Sequence, residues 1–122
     1  MNKRYVLKKT YDIEKLVKKK ITVGDQYYAI YYNETNIDTP KIAISISKHI
    51  GNAVVRNYEK RVHREILSKL LYKMNNLEIL LVIKRNSLKL SYEEKEKDVS
   101  RLIGIINKKR RKKWKRKKYC LY

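Results

Sequence analysis

The chain has 122 residues, 32 of them Lys or Arg against 12 Asp or Glu, for a formal net charge of +20. That length fits one compact domain, and 43% hydrophobic residues are enough to build a core, which excludes a purely disordered basic peptide. So large a charge opposes compaction and calls for an acidic polyelectrolyte partner, nucleic acid first and an anionic membrane surface second, which disfavours an isolated small-molecule enzyme.

A short helix is expected over residues 10–19, with Thr10 as N-cap, Asp12 and Glu14 at the positive end and Ile13, Leu16 and Val17 on one face. Residues 22–32 read as a strand, or as two short strands broken near Gly24-Asp25, and are rich in tyrosine. A polar turn over 33–40 follows. Residues 41–47 alternate, with Ile42, Ile44 and Ile46 on one face and Ala43, Ser45 and Ser47 on the other. A long helix is expected over 52–73, and the apolar run 78–84 has the composition of a buried central strand. Ser91-Tyr92-Glu93-Glu94 has capping-box spacing and opens a last helix with Val99, Leu102, Ile103 and Ile106 inward. The order α-β-β-α-β-α, with room for one extra short strand, describes a small α/β (α+β) two-layer sandwich with a mixed sheet.

The charge divides the chain. Residues 108–122 hold ten Lys or Arg and no acid, and so dense a run repels itself. A folded body over 1–107 is therefore expected, followed by a basic tail, 108–122, that is disordered or only nascently helical without a polyanion. The single cysteine, Cys120, rules out an intramolecular disulfide. The run Ile79-Leu80-Leu81-Val82-Ile83 is far too short to span a bilayer. Met1-Asn2-Lys3-Arg4 leads into polar residues and not into a signal-peptide core. A soluble, cytoplasmic protein is expected.

The informative stretch is residues 46–67. At about 100° per residue, with Arg56 at zero, Lys60 falls near 40°, Arg64 near 80°, Asn57 near 100° and Arg61 near 140°. Val54, Tyr58, Val62, Ile66 and Leu70 take the opposite arc. The helix is thus expected to pack through the second set and present Arg56, Asn57, Lys60, Arg61 and Arg64 outward, where guanidinium forks suit phosphate oxygens. The competing reading is a solvated face, part-neutralised by Glu59 and Glu65. No coherent catalytic set is visible. His49 and His63 are the only histidines; His63 lacks metal-pair spacing with Glu65 and reads as a surface residue. Glu93, Glu94, Glu96 and Asp98 read as a solvated helix start.

Residues 47–65, S-K-H-I-G-N-A-V-V-R-N-Y-E-K-R-V-H-R-E, closely resemble the signature of the bacterial ribonuclease P protein family, S-K-K-x-G-x-A-V-x-R-N-x-x-K-R-x-x-R-E. The likeness continues in Leu7-Lys8-Lys9, the tyrosine strand, residues 42–47 and the apolar strand after the long helix; the tail lies outside it. It implies a left-handed β-α-β crossover and a protein subunit that assists an RNA catalyst. In that family the RNA uses Mg²⁺ to cut the 5′ leader from precursor tRNA. Lys48, Arg56, Asn57, Lys60, Arg61 and Arg64 would then contact the catalytic RNA, and Ile13, Val17, Tyr28, Tyr31 and Ser47 would line a cleft for the leader. No metal is expected on this chain, and no obligate protein partner or membrane. Two departures stand out. Tyr58 occupies the place of the second arginine in the family's Arg-Asn-Arg; lying off the cationic arc, its exchange is expected to cost little RNA affinity. Ile13 and Val17 stand where the family has aromatics, leaving Tyr28 and Tyr31 to stack on bases, although ordinary sheet packing would equally account for them. A non-catalytic ribosomal or RNA-chaperone protein is the main alternative.

Overall fold

A computed structural model describes residues 13, 14, 17, 18, 21–35 and 39–120, with side chains as far as residue 110. Within them, period-two alternation of apolar residues builds a four-stranded sheet: β1 (Thr22–Gly24), β2 (Tyr28–Glu34), β3 (Lys41–Ile46) and β4 (Leu77–Ile83). The spatial order is β1-β2-β4-β3. β2 pairs antiparallel with β1 and β4, while β3 pairs parallel with β4, Ile42 opposite Ile79 and Ile46 opposite Ile83. β4 is therefore central. Its near-continuous apolar composition follows, since both of its edges and most of both faces are covered. The break at Gly24-Asp25 is a hairpin: Asp25 N donates to Tyr28 O, and Asp25 Oδ1 accepts from Tyr27 N and Tyr28 N. Gly24 is required there because a Cβ would meet Tyr28 O at 2.9 Å.

Parallel pairing of β3 and β4 needs a crossover, supplied by helix α1 (Ala53–Lys69). Asn52 caps it, its Oδ1 accepting from Val55 N at 3.0 Å. A single 3₁₀ turn, Leu71–Lys73, closes the segment, so the long helix ends earlier than the expected residue 73. The left-handed Asn76, at φ 63°, turns the chain into β4. The capping box forms as expected: Glu94 N donates to Ser91 Oγ, and Ser91 N to Glu94 Oε1.

Helix α2 (Tyr92–Cys120) inserts Val99, Leu102, Ile103 and Ile106, all fully buried, into one core with Tyr28, Ile30, Ile79 and Leu81 of the sheet and Ile66 and Leu67 of α1. Each such aliphatic chain contributes about 1.5–3 kcal/mol by leaving water. α2 continues through the basic segment to Cys120. Lys and Arg are good helix formers, no Gly or Pro interrupts them, and cations are favoured at a helix C-terminus. Asn107 Nδ2 donates to Lys73 O, and Arg110 Nη1 to Asn75 O, which ties α2 to the turn before β4.

Alternation leaves a second sheet face, bearing Tyr31, Leu80, Val82, Ala43 and Ser45. Ile13 packs there against Ala43 and Leu80, with Tyr31 and Val82. Ile13, Glu14, Val17 and Lys18 are helical; the rest of the helix expected over 10–19 lies outside the described residues.

Candidate nucleic-acid interface

The buried stripe of α1 is Glu59, Val62, His63, Ile66 and Leu67, continued by Leu70. On the wheel it spans from about 240° through zero to about 20°, some 70° away from the expected apolar arc. Val54 and Tyr58, expected inside, are 76% and 60% exposed. Arg56 and Lys60 lie on the shoulder of the stripe, half-buried, and the Nε of Arg56 is buried without a hydrogen-bond partner. Asn57, Arg61 and Arg64 are exposed.

The rotation has a cause that hydrophobic counting missed. His63, expected at the surface, is 0% exposed and Glu59 4%. Lys95 of α2, itself 5% exposed, places Nζ 3.1 Å from both carboxylate oxygens of Glu59. The Nδ1–H of His63 donates to Glu59 O at 2.6 Å. A carbonyl can only accept, so Nε2 carries the lone pair and takes the Tyr28 hydroxyl at 2.7 Å. Burial holds the His63 pKa below its ordinary value, against the raising influence of Glu59, and burial pushes the Tyr28 phenol up. The imidazole is thus neutral and its polar groups are satisfied. A spacing signal was present: Lys95 stands four residues before Val99 on the buried face of α2, as Glu59 stands four before His63.

Glu59 is consequently spent on Lys95 and does not screen the outer face. Three further described acids pair elsewhere. Asp25 and Asp98 share Arg101, at 2.5 and 3.1 Å, and Glu96 lies 3.9 Å from Lys69. On the outer face of α1 only Glu65 opposes the cations. Among the described residues, Lys48, Lys60, Arg61 and Arg64 form no ion pair. Lys48 and Ser47 are exposed in the loop from β3 to α1. Ser47 Oγ accepts from His49 N and Ser47 O from Ile50 N. Arg85, which the sequence reading passed over, anchors that loop by donating to His49 O.

The residues expected to line a cleft do not all meet. Tyr31 and Ile13 come together on the second sheet face, and Val17 is exposed. Tyr28 does not join them. It is fully buried in the main core, bonded to His63. Residues 28 and 31 are three apart on one strand, so they face opposite ways; strand parity alone contains this correction. Among the described residues no group of three or more His, Cys, Asp or Glu is placed to hold a metal ion, and no helix is long and apolar enough to cross a membrane.

A mixed α+β domain that buries Glu59 against Lys95 and leaves guanidinium and ammonium groups without ion pairs along one helix is, by class, an RNA-binding protein. The family model for ribonuclease P matches residues 1–107. Similar proteins include the ribonuclease P protein component of Mycoplasma mycoides, 32% identical over 87% of this chain and 99% of that one. That of Bacillus pumilus is 34% identical over 84% and 88%. Among solved structures, the Staphylococcus aureus ribonuclease P protein superposes with a TM-score of 0.77 at 26% identity, covering 85% of this chain and 96% of that one. The Thermotoga maritima protein matches the fold with a TM-score of 0.75 at 17% identity. The chain belongs to the ribonuclease P protein family. It is a component of a tRNA-processing endoribonuclease and binds RNA; the ribosomal or chaperone alternative is not favoured.

Proposed function

We propose that this subunit binds the catalytic ribonuclease P RNA through Lys48, Arg56, Asn57, Lys60, Arg61 and Arg64. The 5′ leader of precursor tRNA lies over the second sheet face near Ile13, Val17, Tyr31 and Ser47. The observation that carries the reading is the set of cations on α1 left free because Glu59 is sequestered by Lys95. Guanidinium groups on a rigid helix fix phosphates in register, and the loop bearing Ser47 and Lys48 joins that helix to the edge strand of the second face. Tyr31 and Ile13 offer an apolar and aromatic surface against which unpaired bases can pack.

Among the described residues no group of acids is placed to hold a metal ion. In this reading Mg²⁺ would be held by the RNA, where it would supply Lewis-acid chemistry for phosphodiester hydrolysis, and the active site belongs to the RNA. The protein positions the leader and neutralises phosphates, in the cytoplasm. The basic end of α2 adds long-range, sequence-independent attraction.

The test is cleavage of precursor tRNA by the cognate RNA at low Mg²⁺, with and without the protein. Stimulation of 5′ maturation, lost on Arg61→Ala with Arg64→Ala, is the expected result. Absence of stimulation at every Mg²⁺ concentration, with tight binding to ribosomal RNA instead, would refute the proposal.

A further inference from the structure

Tyr58 and Val54 are two of the five exposed large hydrophobic residues of the described chain, and they stand one turn apart on α1. Asn57 follows Val54 by three residues and Arg61 follows Tyr58 by three, so amide, guanidinium, phenol and isopropyl groups share one strip of helix surface. The phenol of Tyr58 is 60% exposed, and no partner holds it among the described residues. The hydroxyl of Tyr28, by contrast, is committed to His63. An aromatic face flanked by a cation and an amide, with an aliphatic side chain beneath it, suits one ligand chemistry: an unpaired nucleobase whose adjoining phosphate meets Arg61.

We infer that Tyr58, one helical turn from Val54, stacks on an unpaired base of the bound ribonuclease P RNA and so contributes sequence-tolerant affinity where the family motif carries a second arginine. This rests on the RNA-binding reading of α1 and adds to it a contact of a different kind. A phosphate contact releases counterions and a stack does not. The two are therefore separable by salt.

Binding of the full chain to its ribonuclease P RNA is measured across a salt series for wild type, Tyr58→Ala, Tyr58→Phe, Tyr58→Arg and Arg61→Ala. All of these positions are exposed on α1, and circular dichroism checks that each variant folds. Tyr58→Ala is expected to weaken binding about tenfold at every salt concentration with an unchanged slope, while Tyr58→Phe binds as wild type. Tyr58→Arg is expected to bind with a slope steeper by about 0.7–0.9, the signature of one added phosphate contact. If Arg61→Ala weakens binding but Tyr58→Ala does not, or if Tyr58→Phe loses as much as Tyr58→Ala, the stacking inference is overturned and the interface stands. If neither Arg61→Ala nor Tyr58→Ala changes binding, the RNA-binding reading of α1 itself falls.

Discussion

Replacing Lys95 by Met tests how α1 is held to α2. The substitution keeps the aliphatic stem and removes the ammonium that faces both oxygens of Glu59 at 3.1 Å. With its side chain only 5% exposed, Glu59 is left a carboxylate without a cation. The neighbouring His63, whose Nδ1 is 3.7 Å from Glu59 Oε2, already donates to the backbone. Breaking a buried pair from one side costs about 3–5 kcal/mol. Some water can reach Glu59 once the ammonium is gone, so the lower end, about 3 kcal/mol, is expected. Urea unfolding followed by far-ultraviolet circular dichroism at pH 8 reads this as a fall in midpoint at constant slope. The double variant Lys95→Met with Glu59→Gln removes both charges and is expected to recover at least half of the loss, a coupling that two independent sites would not show. A single-variant loss below about 1 kcal/mol, the value of an exposed pair, would refute the claim that this pair orients α1.

His63 gives a pH dependence of defined sign. The unfolded chain protonates its histidine near the ordinary 6.5, whereas burial keeps the folded ring neutral to lower pH. As pH falls below about 6.5 the unfolded state binds the extra proton first, and stability should drop, with a limiting slope of about 1.4 kcal/mol per pH unit until the folded ring also protonates. His63→Gln should flatten that window in denaturation measured at successive pH values; an unaltered slope would contradict it. Gly24→Ala would set a Cβ 2.9 Å from Tyr28 O and 3.2 Å from Ala29 Cα. Thermal unfolding should show a loss of about 1–3 kcal/mol, the usual cost of overpacking. A chain ended after Arg110 keeps the ties from Asn107 and Arg110 to the 73–75 turn. It should melt within about 2 °C of the full chain, a shift worth well under 1 kcal/mol. Its RNA affinity should have a clearly shallower salt slope, while cleavage-site choice is unchanged.

Much of this protein is legible in one dimension. The elements follow from periodicity and punctuation that act over a few residues: the Gly24-Asp25 break, the alternation of residues 42–46, the apolar run of β4, the Ser91-Glu94 capping box. The signature over 47–65 and the excess of Lys and Arg specify the family and its RNA partner in the same local way. The orientation of α1 is of another kind. Counting apolar residues puts Val54 and Tyr58 inside and His63 outside, because the calculation treats every charge as solvated. Only tertiary structure brings Lys95 from another helix to Glu59, and the Tyr28 hydroxyl from the sheet to His63, so that two polar residues can be buried satisfied. That long-range compensation rotates the helix and exposes Tyr58. It also leaves the +20 of the chain distributed as free cations on the outer face of α1 and a helical basic extension. Net charge is a sum and fixes only the sign of the partner. Which charges remain free to meet it depends on which acids the fold has already paired.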